Sequence, residues 1–258
     1  MSEPSVILVD VADRVAVVTL NRPEARNALS SELIRELPVT LQAVDDDDDD
    51  VDVIILTGSD PAFCAGLDLK ELGSSGSNLG ASGNRSRGPW PALRKPLIGA
   101  VNGATITGGL ELALACDFLV ASERARFADT HARVGVMPGW GLTVALPQAV
   151  GLRRAREMSV TGNFVDAATA LAWGLVNHVV PHDELLPFAR SLAADICGND
   201  QPGVRRVLET YAAVAEATVA DGWRTEAEMG RAWLRDRDVT GEVAQRRDRI
   251  MARGRTQL

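Results

Sequence analysis

Val101-Asn102-Gly103-Ala104-Thr105-Ile106-Thr107-Gly108-Gly109-Leu110-Glu111-Leu112-Ala113-Leu114-Ala115-Cys116-Asp117 is the stretch on which the fold turns. An apolar run, Pro96 to Val101, ends in it and reads as a buried strand. Glycines then let the chain turn. Gly108 to Ala115 has the apolar content of a helix, and Phe118 to Ala121 reads as the next strand. Strand, helix and strand in succession argue for parallel βαβ units and an α/β fold. The first N–H groups of such a helix have no intrahelical partner, and the helix dipole makes that end positive. Glu111 lies one turn in, on a side able to point back toward the helix start. A carboxylate in the apolar run Leu110 to Cys116 is costly without a partner or a purpose.

Upstream, the design repeats. Val51 to Thr57 is a continuous apolar strand, Gly58-Ser59-Asp60-Pro61 turns out of it, and Phe63-Cys64-Ala65-Gly66-Leu67-Asp68-Leu69 follows. A helix beginning near Leu67 would present a second set of unpaired N–H groups. Two such donors meeting on one oxygen form an oxyanion hole; Gly-rich strand-to-helix turns also occur for packing alone. Nearer the N-terminus, Val6 to Val11 and Val15 to Leu20 read as a hairpin. Ser30 is a good N-cap for a helix from Ser31 toward Val44, which Pro38 is expected to kink or shorten. The aspartate run Asp45 to Asp50 repels itself and reads as a solvated loop. Gly73 to Gly88, rich in Gly and Ser, reads as flexible.

Beyond Pro138 the spacing is helical: Arg153 to Val160, Ala167 to Trp173, Glu184 to Ile196, Gly203 to Val219, Trp223 to Leu234 and Glu242 to Ala252. The expected organisation is an α/β core over 1–195 and a helical region over 196–258. The net charge of −8 over 258 residues disfavours nucleic acid and anionic membranes as partners. No segment offers the roughly 20 consecutive apolar residues of a membrane span. Cys64, Cys116 and Cys197 are odd in number and match no metal spacing, so free thiols in a reducing cytoplasm are expected. His178 and His182 are four apart, but Pro181 breaks any shared helix face, and no metal is assigned.

In sum these motifs resemble those of the crotonase (enoyl-CoA hydratase/isomerase) superfamily. Asn21-Arg22-Pro23-Glu24-Ala25-Arg26-Asn27-Ala28-Leu29 is similar to its opening signature. Phe63 to Leu69 and Val101 to Asp117 are similar to its two oxyanion segments. Gly135-Val136-Met137-Pro138-Gly139-Trp140-Gly141 resembles the loop after them, and Thr161-Gly162 with Ala167 to Pro181 a later helix–strand block. The resemblance implies a ββα superhelix, a spiral of stacked turns, with a C-terminal helical trimerisation region, assembled as a homotrimer or a dimer of trimers. It implies a coenzyme A thioester as substrate, with no permanently bound cofactor. Leu67 and Gly108 would supply the oxyanion N–H groups. Arg26, Ala28, Ala65, Asp68, Leu69 and Lys70 would line the coenzyme A path, and Arg22 is a further cation available to its phosphates.

Hydration of a 2-enoyl thioester needs a base on the attacking water and a proton source at the α-carbon. Hydratases of the family use two glutamates. Glu111 matches the first, and His131 stands where the second is expected. An imidazole titrates near neutrality and serves as acid or base; a lone His is also often only a packed side chain. Asp129 lies close in sequence and matters if it faces the same pocket. The resemblance therefore implies an enoyl-CoA hydratase-like lyase of acyl-CoA metabolism. Double-bond isomerisation, thioester hydrolysis, decarboxylation and acyl-CoA binding with little turnover stay open. Trp90 and Trp140 are candidates to shape the acyl pocket.

Overall fold

The computed structural model describes residues 5–47, 50–80, 88–199 and 201–212, with scattered single positions from 235 to 255. The chain begins with β1 (Ile7–Ala12) and β2 (Val15–Leu20), an antiparallel hairpin. α1 (Ser31–Asp46) follows, with the Ser30 hydroxyl accepting from Leu33 N at 3.2 Å. The helix runs through Pro38 without a break. Leu37, Leu41 and Val44 are buried on either side of that residue, and their packing outweighs the one backbone bond that proline removes.

Three ββα turns come next. β3 (Val53–Gly58) and β4 (Ala62–Cys64) lead to α2 (Leu69–Ser74) and α3 (Ser77–Gly80). β5 (Leu97–Val101) and β6 (Ala104–Ile106) lead to α4 (Gly108–Leu114). β7 (Phe118–Ser122) and β8 (Arg126–Ala128) lead to α5 (His131–Val134). The rest comprises α6 (Leu142–Val150), α7 (Leu152–Thr161), β9 (Val165–Asp166), α8 (Ala167–Trp173), β10 (His178–Val180) and α9 (Leu185–Cys197). Residues 201–212 are helical. The expected helix over Trp223 to Leu234 and most of that over Glu242 to Ala252 lie outside the described residues.

Each turn gives one strand to each of two sheets. The larger has the order β1-β2-β3-β5-β7-β10, parallel from β2 onward. The smaller has the order β4-β6-β8-β9, with β4, β6 and β8 parallel. This is the spiral that the family resemblance implies. Alternate residues explain why β3 is buried throughout. Ile54 and Leu56 face the main core, whereas Val53 and Ile55 meet Leu185, Ala189 and Ala193 of α9.

Two expected loops are built differently. Asp45 and Asp46 belong to α1, and Asp45 is fully buried. Its carboxylate accepts from Arg94 N at 3.0 Å, Lys95 N at 2.9 Å and Arg94 Nε at 3.2 Å. The buried Lys95 ammonium donates to Val44 O at 3.0 Å and Asp47 O at 2.7 Å, closing the end of α1. Self-repulsion is offset here by partners some 50 residues away in sequence. Likewise, the first part of Gly73 to Gly88 lies in α2 and α3; residues 81–87 fall outside the described residues. Glu71 accepts from Ser31 N at 3.0 Å and from the Ser77 hydroxyl at 2.5 Å. The Asn78 amide donates to Leu29 O at 3.2 Å and Asp68 O at 3.1 Å.

Candidate active site

Leu67, Gly108 and His131 all follow the C-terminal ends of the parallel strands β4, β6 and β8. Ligands of open parallel sheets bind at that end. The first two segments touch through their backbones. Gly66 has φ +86°, and a Cβ on it would lie 2.7 Å from Ile106 O. A Cβ on Gly109 would lie 2.1 Å from Cys64 O. Glycine at both positions therefore lets the two turns lie against each other.

Among the described residues the Leu67 N–H has no backbone partner, and strand geometry explains why. Leu29 N donates to Gly66 O at 2.8 Å, and Asp68 N donates to Leu29 O at 3.1 Å. In this parallel bridge the N–H of the intervening residue, Leu67, points away from Leu29. Gly108 is the first residue of α4, so its N–H is one of the helix's unpaired donors. Thr107 aims it, with φ 55° and ψ −111°, a conformation costing on the order of 1–3 kcal/mol. Thr107 N donates to Ala128 O at 2.8 Å, its hydroxyl bonds that of Thr130, and it accepts from Thr130 N at 3.2 Å. These contacts hold the strained residue in place. Trp140 lies beside Gly108, whereas Trp90 is part of the main core.

The α2 helix begins at Leu69 rather than near Leu67, because Asp68 caps it. The Asp68 carboxylate accepts from Lys70 N at 3.0 Å and Glu71 N at 3.3 Å, and meets Arg22 Nη2 at 3.0 Å. Arg22 also donates to Ala28 O. Arg22 thus clamps the opening segment to α2. Of the residues expected along the coenzyme A path, Arg26 and Lys70 are exposed, Ala65 and Leu69 half-buried and Ala28 buried. Ala65 N donates to Arg26 O at 3.1 Å, which brings these two together.

Glu111, His131 and Asp129 form one buried chain of acid–base groups, 4%, 5% and 1% exposed. Glu111 Oε1 accepts from Trp140 N at 2.8 Å and Gly139 N at 3.2 Å. Its Oε2 lies 3.5 Å from His131 Nε2. On the other side of the ring, His131 Nδ1 meets Asp129 Oδ1 at 2.6 Å. His131 opens α5 rather than lying in a loop. Burial acts to lower the His131 pKa, but hydrogen bonds and charges of Asp129 and Glu111 push it up to about 9. Burial works to raise the Asp129 pKa, and its bonds to His131 and Ser159 hold it below the usual range. At neutral pH the ring is an imidazolium between two carboxyl groups. Sequence reasoning reached Glu111 and His131 and left Asp129 conditional. It missed the Gly139 and Trp140 N–H groups, which carry no side-chain signal. Burial pushes the nearby Cys64 thiol up to about 12, so it is not a nucleophile.

A Gly-rich strand-to-helix turn occurs in many α/β proteins, but paired turns in consecutive ββα layers, with an acid–base pair beside them, are more selective. The profile of the enoyl-CoA hydratase/isomerase family matches residues 10–245. The chain belongs to the enoyl-CoA hydratase/isomerase family. Within it, a probable enoyl-CoA hydratase from Rhizobium meliloti is 40% identical over 86% of this chain and 87% of that protein. The crystal structure of an enoyl-CoA hydratase from Mycobacterium smegmatis is 52% identical, covers 91% of this chain and 100% of its own, and superposes with a TM-score of 0.82. A carnitinyl-CoA dehydratase from Mycobacterium avium is 31% identical over 94% of this chain and 95% of its own, with a TM-score of 0.79. The family fold thus carries more than one named reaction.

A second histidine shows why connectivity alone does not make a site. His182 Nδ1 lies 3.0 Å from the Ser122 hydroxyl and Nε2 3.0 Å from Asp60 Oδ2. Ser122 is fully buried, however, and the Asp60 side chain is 62% exposed. A hydrolase needs the opposite, an accessible serine and a sheltered carboxylate. This cluster instead ties β7 to the turn before β4. Among the described residues no three His, Cys, Asp or Glu side chains are placed to hold a metal ion. No helix among them is long and apolar enough to cross a membrane.

Proposed function

We propose that this protein adds water across the 2,3 double bond of a 2-enoyl-CoA thioester. The observation that carries the reading is the Glu111–His131 pair at 3.5 Å, a buried carboxylate facing a protonated ring beside the two unpaired N–H groups. Glu111 takes a proton from water as the water oxygen bonds to C3. The π electrons move to C2 and the thioester oxygen, where the Leu67 and Gly108 N–H groups hold the developing charge. His131 Nε2 then gives its proton to C2. The product carries hydroxyl at C3 and hydrogen at C2. Glu111 is left protonated and His131 neutral. Transfer of the proton from Glu111 to His131 across their contact restores the starting state.

Arg26, Ala28, Ala65, Asp68, Leu69 and Lys70 line the coenzyme A path in this reading, with the Asp68 carboxylate holding the start of α2. The thioester is substrate, and no resident cofactor takes part. The working assembly is a homotrimer or a dimer of trimers in the cytoplasm. The test is incubation of purified protein with 2-enoyl-CoA esters of several chain lengths. Loss of the conjugated-thioester absorbance, with a product heavier by one water, is expected. Glu111→Gln should lower kcat by about 10²–10⁴-fold with little change in KM. Steady absorbance at every chain length would sink the proposal. A product of unchanged mass would instead identify an isomerase, and free coenzyme A a thioester hydrolase.

A further inference from the structure

We infer that Asp129 is a positioning residue for the reaction: it fixes the Nδ1–H tautomer of His131 and keeps the ring charged, so that Nε2–H is always the proton presented to the substrate. The inference rests on the hydration reading and extends it to a residue that touches no reacting atom. Three donors converge on the Asp129 carboxylate: His131 N at 3.1 Å, His131 Nδ1 at 2.6 Å and the Ser159 hydroxyl of α7. The bond to Nδ1 decides which nitrogen is left for chemistry. With Nδ1–H spent on Asp129, Nε2 is the nitrogen facing Glu111.

Charge compensation gives Asp129 a second task. A buried imidazolium is unfavourable unless an opposite charge stays near it. Glu111 becomes neutral when it takes the proton of water, so its help is transient. Asp129 remains ionised throughout. The other groups around the ring do not substitute for it. On α5 itself, Arg133 reaches away to Gly162 O. On α7, packed against α5, Arg153, Arg154, Arg156 and Glu157 are exposed and Ser159 is uncharged. From α4 the charged group is Glu111 alone.

The test uses the full chain carrying Asp129→Asn, which keeps the shape and removes the charge. The protein has three histidines, so ¹⁵N-histidine NMR can follow the His131 ring. In the parent the ring should stay charged through neutral pH and titrate near 9. In the variant it should titrate lower by about one pH unit or more, the usual effect of one adjacent charge. The alkaline limb of kcat/KM should move down with it. At the optimum, kcat should fall on the order of 10²-fold, the lower end of what a placed proton donor contributes, while KM holds. Unchanged ring titration and an unchanged pH profile would overturn the inference. Should the variant not fold, a parent spectrum showing a neutral His131 ring at pH 7 overturns it equally. A parent that hydrates no enoyl thioester defeats the proposed reaction, and the ring titration then decides the role of Asp129 by itself.

Discussion

Gly109→Ala puts the contact between the two donor turns to a quantitative test. The new Cβ would lie 2.1 Å from Cys64 O and 2.9 Å from Cys64 C, where real Cβ contacts essentially never fall below 3.0 Å. Both atoms are backbone, so no side chain can swing aside. α4 and the end of β4 must separate by close to 1 Å. Gly108 is the neighbouring residue on one side of that contact, and Leu67 lies three residues past Cys64 on the other. A displacement of about 1 Å in a catalytic geometry costs on the order of 10²-fold in rate. Overpacking of this kind also destabilises by roughly 1–3 kcal/mol. The assays are kcat for hydration of a 2-enoyl-CoA and a thermal melt. Gly198→Ala is the control. Its Cβ would meet only ordinary contacts, at 3.5 Å and beyond, and its φ of −70° suits alanine. A Gly109→Ala enzyme with parental kcat and melting temperature would refute the reasoning, because the turns would then separate without disturbing the donors.

Two further outcomes follow from buried charges. The His131 pKa is raised from 6.5 to about 9 in the folded chain. Its stabilisation, worth about 3 kcal/mol, is therefore fully present below about pH 6.5 and is lost as pH rises through about 9. Urea unfolding across that range should show the decline, and His131→Gln should flatten it; equal slopes in both proteins would contradict this account. Lys95→Met removes the ammonium that closes α1 and should destabilise by about 2–3 kcal/mol. Its melting temperature should drop by roughly 2 °C or more per kcal/mol, and an unchanged melt would show that water replaces the ammonium without loss.

The long elements were legible because their apolar periodicity extends over several residues. The β1–β2 hairpin, α1, β3, β5, α4, β7 and the helices α7 to α9 lie within a residue or two of their expected bounds, α1 apart from its passage through Pro38. β4, β6, β8 and β9 span two or three residues each, too few for alternation to register. They were reached only through resemblance to the family spiral. The burial of Asp45 is not legible locally, because a run of like charges says nothing of distant partners such as Arg94 and Lys95. At the site, Glu111 stood out as a carboxylate within an apolar helix. Its contact with His131 depends on β6 pairing with β8, and the Gly139 and Trp140 donors belong to backbone 28 and 29 residues further on. Local sequence holds no trace of either arrangement.

The N–H groups of Leu67 and Gly108 belong to the main chain, and this has a consequence for how the protein can change. Only proline deletes a main-chain donor, so most substitutions at position 67 leave the group where the fold puts it. In the proposed reading the polarising half of the reaction is inherited with the architecture. The proton-moving half is written in the side chains of Glu111, Asp129 and His131, each open to single substitutions. New chemistry can therefore arise at three side chains while the carbonyl stays held.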